Sequence, residues 1–438
     1  MIQSEYDELS TNQQIANSMF KLMVELFPIC RSITGNGVRE SLNLIKKYID
    51  IEIHEIKTGT KVFDWVIPKE WNINDAYVKD SSGKKIIDFQ KSNLHVVSYS
   101  KPINQKMNLS ELNHHLHTLP EQPNAIPYLT TYYDENWGFC LKHSDFLKLK
   151  NEEYDVFIDS SLKEGSLTYG EYLIEGKSTN EILITCYICH PSMCNDNLSG
   201  VVITAMLAHY LRNLKLNNSI RFLFIPETIG AITWLSLNEK NLFKVKHGLV
   251  ITCSGDKGIS TYKRSRIGNA SIDKIVEYVL KNSGSPYQII DFFPTGSDER
   301  QFCSPGFNLP VGSLMRTIYG KFSEYHTSLD NLDFVKKEYL FDTFKKYVKT
   351  IFIIENNKYY KNMNPKCEPQ LGKRGLYRMI GGQKITKEKE NAIFWTLNYS
   401  DGNHSLLDIA EKSRIDFEVI LDTAMMLENN HLLSLYQL

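Results

Sequence analysis

The apolar run 182–186 breaks into CHPSMCNDNLSG, which places His190 and Asp196 between a strand end and the first turn of the following helix. A neutral imidazole and a carboxylate that close can share a divalent metal. Taken singly, each has a plainer reading: His190 as a satisfied loop histidine, Asp196 as a helix cap. Two further residues shift the balance. The next apolar run, IRFLFIPETIG, ends at Glu227, and SEYHTSLDN sets His326 in a Ser/Thr/Asp loop just before a long helical pattern. Ligands of open α/β sheets bind beyond the carboxyl ends of the strands, where these residues lie.

Other chemistry-bearing residues read more blandly. Cys186 and Cys189 form a single CxxC inside an apolar run, without the second pair that a zinc ribbon needs. The eight cysteines are scattered along the chain, the usage of a reducing compartment, so a cytoplasmic location is expected. The HHLH cluster, with His114, His115 and His117, sits in a polar stretch without carboxylates in a ligand pattern and reads as surface. Arg264 or Arg266, in KRSR, offers a cation to a substrate carboxylate, and the plainer reading is a solvated loop. Tyr132, Tyr133 and Trp137 are expected to wall a pocket, since aromatics supply rigid contact area, although most aromatics nearby should be core.

These residues need a frame. At roughly 100–200 residues per domain, 438 residues imply two or three domains. Lys+Arg 50 against Asp+Glu 51 leaves a net charge of −1 and no global pull toward nucleic acid or anionic membrane. No stretch of about 18 apolar residues occurs, and the first residues carry no secretory pattern. Helical spacing over 13–27 and 39–49 gives way from 57 to short Val/Ile/Tyr/Trp segments, a mostly β insert over 57–149. From 150 to 356, apolar runs alternate with helical patterns, which predicts a mixed, mostly parallel sheet sandwiched by helices. Residues 1–56 and 150–356 would thus form one discontinuous α/β domain. Residues 357–382 read as a linker, and 383–438 as a winged helix of three helices and a terminal strand.

With those motifs placed, the sequence resembles a family. HPxxxNDNxSG, an apolar strand ending in Glu, a GSD segment and YHTSLDN look like the co-catalytic dizinc aminopeptidases of clan MH, over residues 10–56 and 150–356. The layout as a whole resembles a bacterial aminopeptidase-like group with an inserted β domain and a C-terminal winged helix. The resemblance implies an aminopeptidase/phosphorylase-like fold, His190 and His326 each on one metal, Asp196 bridging, and Glu227 as general base. Two positions depart from the pattern. Thr228 stands where the family has a second Glu ligand, and Cys253 stands where it has an Asp ligand. Cys253 as thiolate, or Asp256 from the loop, are the substitutes at hand. His190, Asp196 and His326 alone still give a catalytic zinc its three ligands and open position, so one zinc is expected. Asp298 and Glu299 stand where related enzymes face substrate, there to pair with a free α-amine; the alternative is that they cap the next helix.

The implied function is a zinc-dependent aminopeptidase acting on a peptide or related amide. Alternatives are an amidohydrolase on a modified sugar or peptidyl conjugate, and a binding protein that kept the fold without turnover. The C-terminal residues 401–438 carry seven acidic side chains against Lys412 and Arg414, and the presumed recognition helix 416–429 has no cation. Such a surface repels phosphate, so a protein contact or a homo-oligomer interface is expected there rather than DNA.

Overall fold

The computed structural model describes residues 1–376 and 387–436. They fall into two units, one of residues 11–346 and one of residues 1–10 with 347–438.

The larger unit is organised on one mixed sheet. Its strands, numbered alone in chain order, are β1 Glu52–Lys57, β2 Ser166–Ile174, β3 Ser178–Tyr187, β4 Asn218–Ile225, β5 Val245–Ile251, β6 Ser260–Lys263, β7 Tyr287–Ile290 and β8 Val311–Met315. They lie in the order β1-β2-β4-β3-β5-β8-β6-β7. The central block β4-β3-β5-β8 is parallel throughout. It is built from near-continuous apolar runs such as Ile182–Ile184 and Phe222–Ile225, buried because helices flank the sheet. Apolar runs of the 150–356 alternation form β3, β4, β5, β7 and β8. The remaining strands, β1, β2 and β6, include the half-exposed edge strand β1, whose alternation is weak.

The chain leaves β3 through helix Ser199–Leu211 to reach β4, then crosses by helix Ile229–Asn238 to β5 on the other side of β3. The carboxyl end of β3 is therefore a topological switch point, where loops diverge and leave a crevice. Helix Ser199–Leu211 is apolar on nearly every face and almost wholly buried, as its place between the sheet and helix Gln14–Leu26 requires. Its second residue, Gly200, allows the approach: an added Cβ would lie 2.3 Å from the Ile251 carbonyl oxygen at the end of β5.

The insert is a four-stranded antiparallel sheet of Glu70–Lys79, Lys85–Asp88, Ile103–Asn108 and Glu153–Lys163. Its own core contains Ala76, Val78, Trp137, Phe139, Val156 and Ile158. The expected boundary at 149 is corrected: Glu153–Lys163 pairs along its length with Glu70–Lys79, so the insert's sheet runs to 163. Arg39 joins insert to sheet, donating to both oxygens of Glu70 at 2.7 Å and of Glu55 at 2.9 and 3.0 Å.

The second unit holds a three-stranded antiparallel sheet, with Tyr359–Asn362 between Asp401–Ser405 and Leu433–Tyr436, and helices Lys387–Tyr399, Leu406–Ser413 and Phe417–Asn429. The linker expected at 357–382 is thus corrected at its start, where YYKN is the middle strand. Four residues are too few to show a period, and the pairing partners lie about forty and seventy positions away. The last part of that stretch, 377–382, lies outside the described residues. Among the described residues no helix is long and apolar enough to cross a membrane.

Candidate metal centre and its pocket

Three of the four residues singled out first converge. One ligand atom each of His190, Asp196 and His326 lies within 4.8 Å of the others. Among the described residues this is the one group of three or more His, Cys, Asp or Glu so placed. His326 Nε2 stands 3.0 Å from Asp196 Oδ2, yet neither atom has an aligned hydrogen-bond partner although both are buried. Buried polar atoms are nearly always paired, so two orphans facing each other beside a second imidazole form an arrangement that a cation would satisfy. The donor set, two nitrogens and a carboxylate oxygen, suits zinc. Glu227 completes the group, its Oε2 3.8 Å from His190 Nε2.

Each side chain is held from behind. Tyr187, the last residue of β3, donates to Asp196 Oδ1 and shares a 2.7 Å hydrogen bond with Thr252. Asp330 is fully buried and accepts the backbone N–H groups of Asn195 at 2.6 Å and Asp196 at 2.8 Å. Because Asp330 lies four residues after His326, it ties two ligand loops together. The His190 carbonyl accepts from Arg31 Nε at 3.0 Å, a link from the loop between the first helices. His326, at φ +55°, sits on a loop to which the insert contributes a partner: the Tyr128 N–H donates to the His326 carbonyl at 2.8 Å. Tyr325 stacks on the His326 ring at 4.0 Å, and the Tyr128 ring lies 5.3 Å from both imidazoles.

The electrostatics follow from burial. Desolvation pulls His190 down to about 4, against the pull of Asp196, so its imidazole is neutral and can ligate. Burial pushes against the charge of Asp196 as well, but His190, His326 and the Tyr187 hydroxyl together hold it at about 2. Glu227 is driven well above the usual carboxylate range, first by burial and then by Asp298 and Asp196, in the absence of a metal charge. Asp298 rises to about 7, again chiefly through burial.

The remaining candidates separate. Cys253 is fully buried at φ +43°, receives the Thr252 hydroxyl on its sulfur at 3.3 Å and has its thiol pushed well up by burial. It is outside the converging group, as is Asp256, which accepts from Asn195 Nδ2 at 2.9 Å and Thr317 Oγ1 at 2.6 Å. Asp298 and Glu299 are buried and do not line the cavity: Asp298 Oδ1 accepts the Thr228 N–H at 2.7 Å, and Glu299 pairs with buried Lys263 at 2.7 Å. Arg264 is engaged at the surface by Glu277 and Asp291. Trp137 is corrected from pocket wall to insert core, where it stacks on His115 at 3.7 Å. Cys186 and Cys189 are free thiols, and Cys189 Sγ accepts the Glu227 N–H at 3.3 Å.

A cavity of about 320 Å³ opens over the centre, lined by His190, Glu227, Thr228, His326, Tyr128, Tyr132, Tyr133, Trp65, Ile33 and others. That is the small end of ligand-pocket volumes. Tyr132 and Tyr133 are among its lining residues. Trp65, which meets Tyr133 edge-on at 5.6 Å, was missed with Tyr128, Tyr187, Tyr325 and Asp330. Tyr325 and Asp330 lie inside the YHTSLDN motif, so that signal was available; Trp65 and Tyr128 come from the insert, with no local mark.

Comparison with known proteins agrees with this frame. A family model described as "Domain of unknown function (DUF4910)" matches residues 20–357, and a winged helix-turn-helix model matches 358–435. A Clostridium acetobutylicum protein named "Putative polysaccharide biosynthesis protein with aminopeptidase-like domain" is 58% identical over 427 residues, 98% of each chain. A crystal structure titled as a "putative peptidase" from that organism superposes with TM-score 0.93 at 56% identity, covering 98% of each chain. The zinc aminopeptidase BSAP from Bacillus subtilis shares the fold at TM-score 0.57 and 12% identity, over 77% of this chain and 94% of that one.

Proposed function

The chain belongs to the family described as a domain of unknown function (DUF4910), and from that membership and the geometry of its centre we propose a zinc-dependent amide hydrolase of aminopeptidase type. The observation that carries it is the pair of buried, unpartnered ligand atoms on Asp196 and His326, 3.0 Å apart beside His190 and Glu227. Zinc held by His190, Asp196 and His326 supplies Lewis acidity toward water and an amide carbonyl. Glu227, placed next to His190, takes the proton from the attacking water and returns it to the leaving nitrogen.

The family relative's name favours a second reading within the same chemistry, hydrolysis of an amide on a modified sugar. Trp65, Tyr132 and Tyr133 support it as aromatic faces lining the cavity, against which a ring can pack. The scattered free thiols support a cytoplasmic setting. For the C-terminal winged helix, the acidic excess of residues 401–438 and the absence of Lys and Arg from helix Phe417–Asn429 support a protein contact or self-association in place of nucleic acid.

Metal analysis of the purified chain tests the reading. Zinc is expected in the wild type and is expected to be lost in His190→Ala, Asp196→Ala and His326→Ala, each retaining the wild-type circular dichroism. Full occupancy in all three variants would overturn the ligand assignment.

A further inference from the structure

Thr228 directly follows the base and stands where the dizinc pattern has a carboxylate ligand. Its φ of +63° is a conformation that a β-branched residue adopts only when its surroundings impose it. Two hydrogen bonds impose it here: the Thr228 N–H donates to Asp298 Oδ1 at 2.7 Å, and Arg300 Nη2 donates to Thr228 Oγ1 at 2.7 Å. The hydroxyl is thereby engaged by a cation, held on the residue that directly follows Glu227.

The other position that would serve a second ion is equally closed. Cys253 is buried as a neutral thiol that accepts from Thr252, and Asp256 has both oxygens committed to Asn195 and Thr317. A dizinc centre needs carboxylates to neutralise two divalent ions. Here one is replaced by a hydroxyl that carries a guanidinium, whose charge repels a second cation at the effective dielectric of a protein interior.

We propose that this centre takes a single divalent ion, and that the Arg300–Thr228 pair closes the position of a second, setting beside Glu227 the positive charge that a second ion would bring. This rests on the assignment of His190, Asp196 and His326 as ligands.

The test is zinc stoichiometry of the full chain, stripped with chelator, titrated with Zn²⁺ by calorimetry and checked by elemental analysis after gel filtration. Wild type is expected to bind one ion. Thr228→Glu with Cys253→Asp, keeping Arg300, is expected to stay at one, because Arg300 pairs with the new carboxylate. Adding Arg300→Ala is expected to raise the count to two. Where that triple variant does not fold, Thr228→Glu with Arg300→Ala leaves buried Cys253 untouched and is expected to take the second ion with weaker affinity. Two ions in the wild type would overturn this proposal and leave the ligand assignment standing, whereas none would overturn both. A folded triple variant that remains at one ion would remove the role given to Arg300 and Thr228.

Discussion

The proposed roles of Glu227 and Tyr187 at the centre differ, and single substitutions separate them. Glu227 accepts no side-chain hydrogen bond among the described contacts and borders the cavity, so Glu227→Gln should preserve zinc content and the melting temperature. Turnover should fall about 10²–10⁴-fold, the usual contribution of a positioned general base. Wild-type rates would exclude it from the mechanism. Tyr187 orients the proposed ligand Asp196: its hydroxyl donates to Asp196 Oδ1 and bonds Thr252 at 2.7 Å. Outer-shell partners of metal ligands typically contribute 10–100-fold in affinity, so Tyr187→Phe should weaken zinc binding by about that factor in a chelator competition. Unchanged affinity would mean that Asp330 and the backbone alone aim Asp196. The residue types at the centre were legible because HP, NDN and YHTS mark loops at strand ends. Their partners Tyr187 and Arg31 were not, since an isolated Tyr or Arg in an apolar stretch carries no sign of what it touches.

At the scale of elements, the site depends on the insert being held against the sheet. Arg39, on helix Asn36–Ile45, reaches Glu55 on β1 and Glu70 on the insert's strand Glu70–Lys79. Its hydrogen bonds are the first cause that lowers Glu70, to about 2, with burial opposing. A folded-state value below the unfolded one near 4.3 means that Glu70 adds stability above about pH 5 and loses it as pH falls toward 2. Glu70→Gln should therefore destabilise the protein by roughly 1.5–3 kcal/mol at pH 7, as expected for bonds to a charged group. The gap from wild type should shrink steadily in urea melts between pH 5 and 2. A pH-independent gap would show that shape, not charge, carries the contact. The same insert carries Tyr128 to the His326 loop, a pairing between residues about two hundred positions apart that no local pattern announces.

For the whole molecule, the C-terminal unit poses the sharpest contrast between fold and use. Winged helices often present a recognition helix to DNA, but Phe417–Asn429 buries Phe417, Ile420, Leu421, Ala424 and Leu427 and carries no Lys or Arg. Phosphate contacts supply essentially all non-specific DNA affinity, so the full chain should show no salt-sensitive duplex binding at physiological ionic strength. Submicromolar binding that weakens with salt would contradict this, while Met425, half exposed at 51%, offers an adaptable apolar contact for a protein. The sequence by itself determined the fold class, the alternation of strand and helix around the centre, and the residue types that converge there, because hydrophobic period and strand-end loops are local signals. Only the tertiary structure decided which polar residues face the cavity. Asp298, Glu299, Arg264 and Trp137 carry the right chemistry for a site. Each is instead engaged by Thr228, Lys263, Glu277 or the insert core, through contacts set by packing between distant segments. Burial and partnership belong to the folded chain, and a residue's availability for chemistry is settled by them.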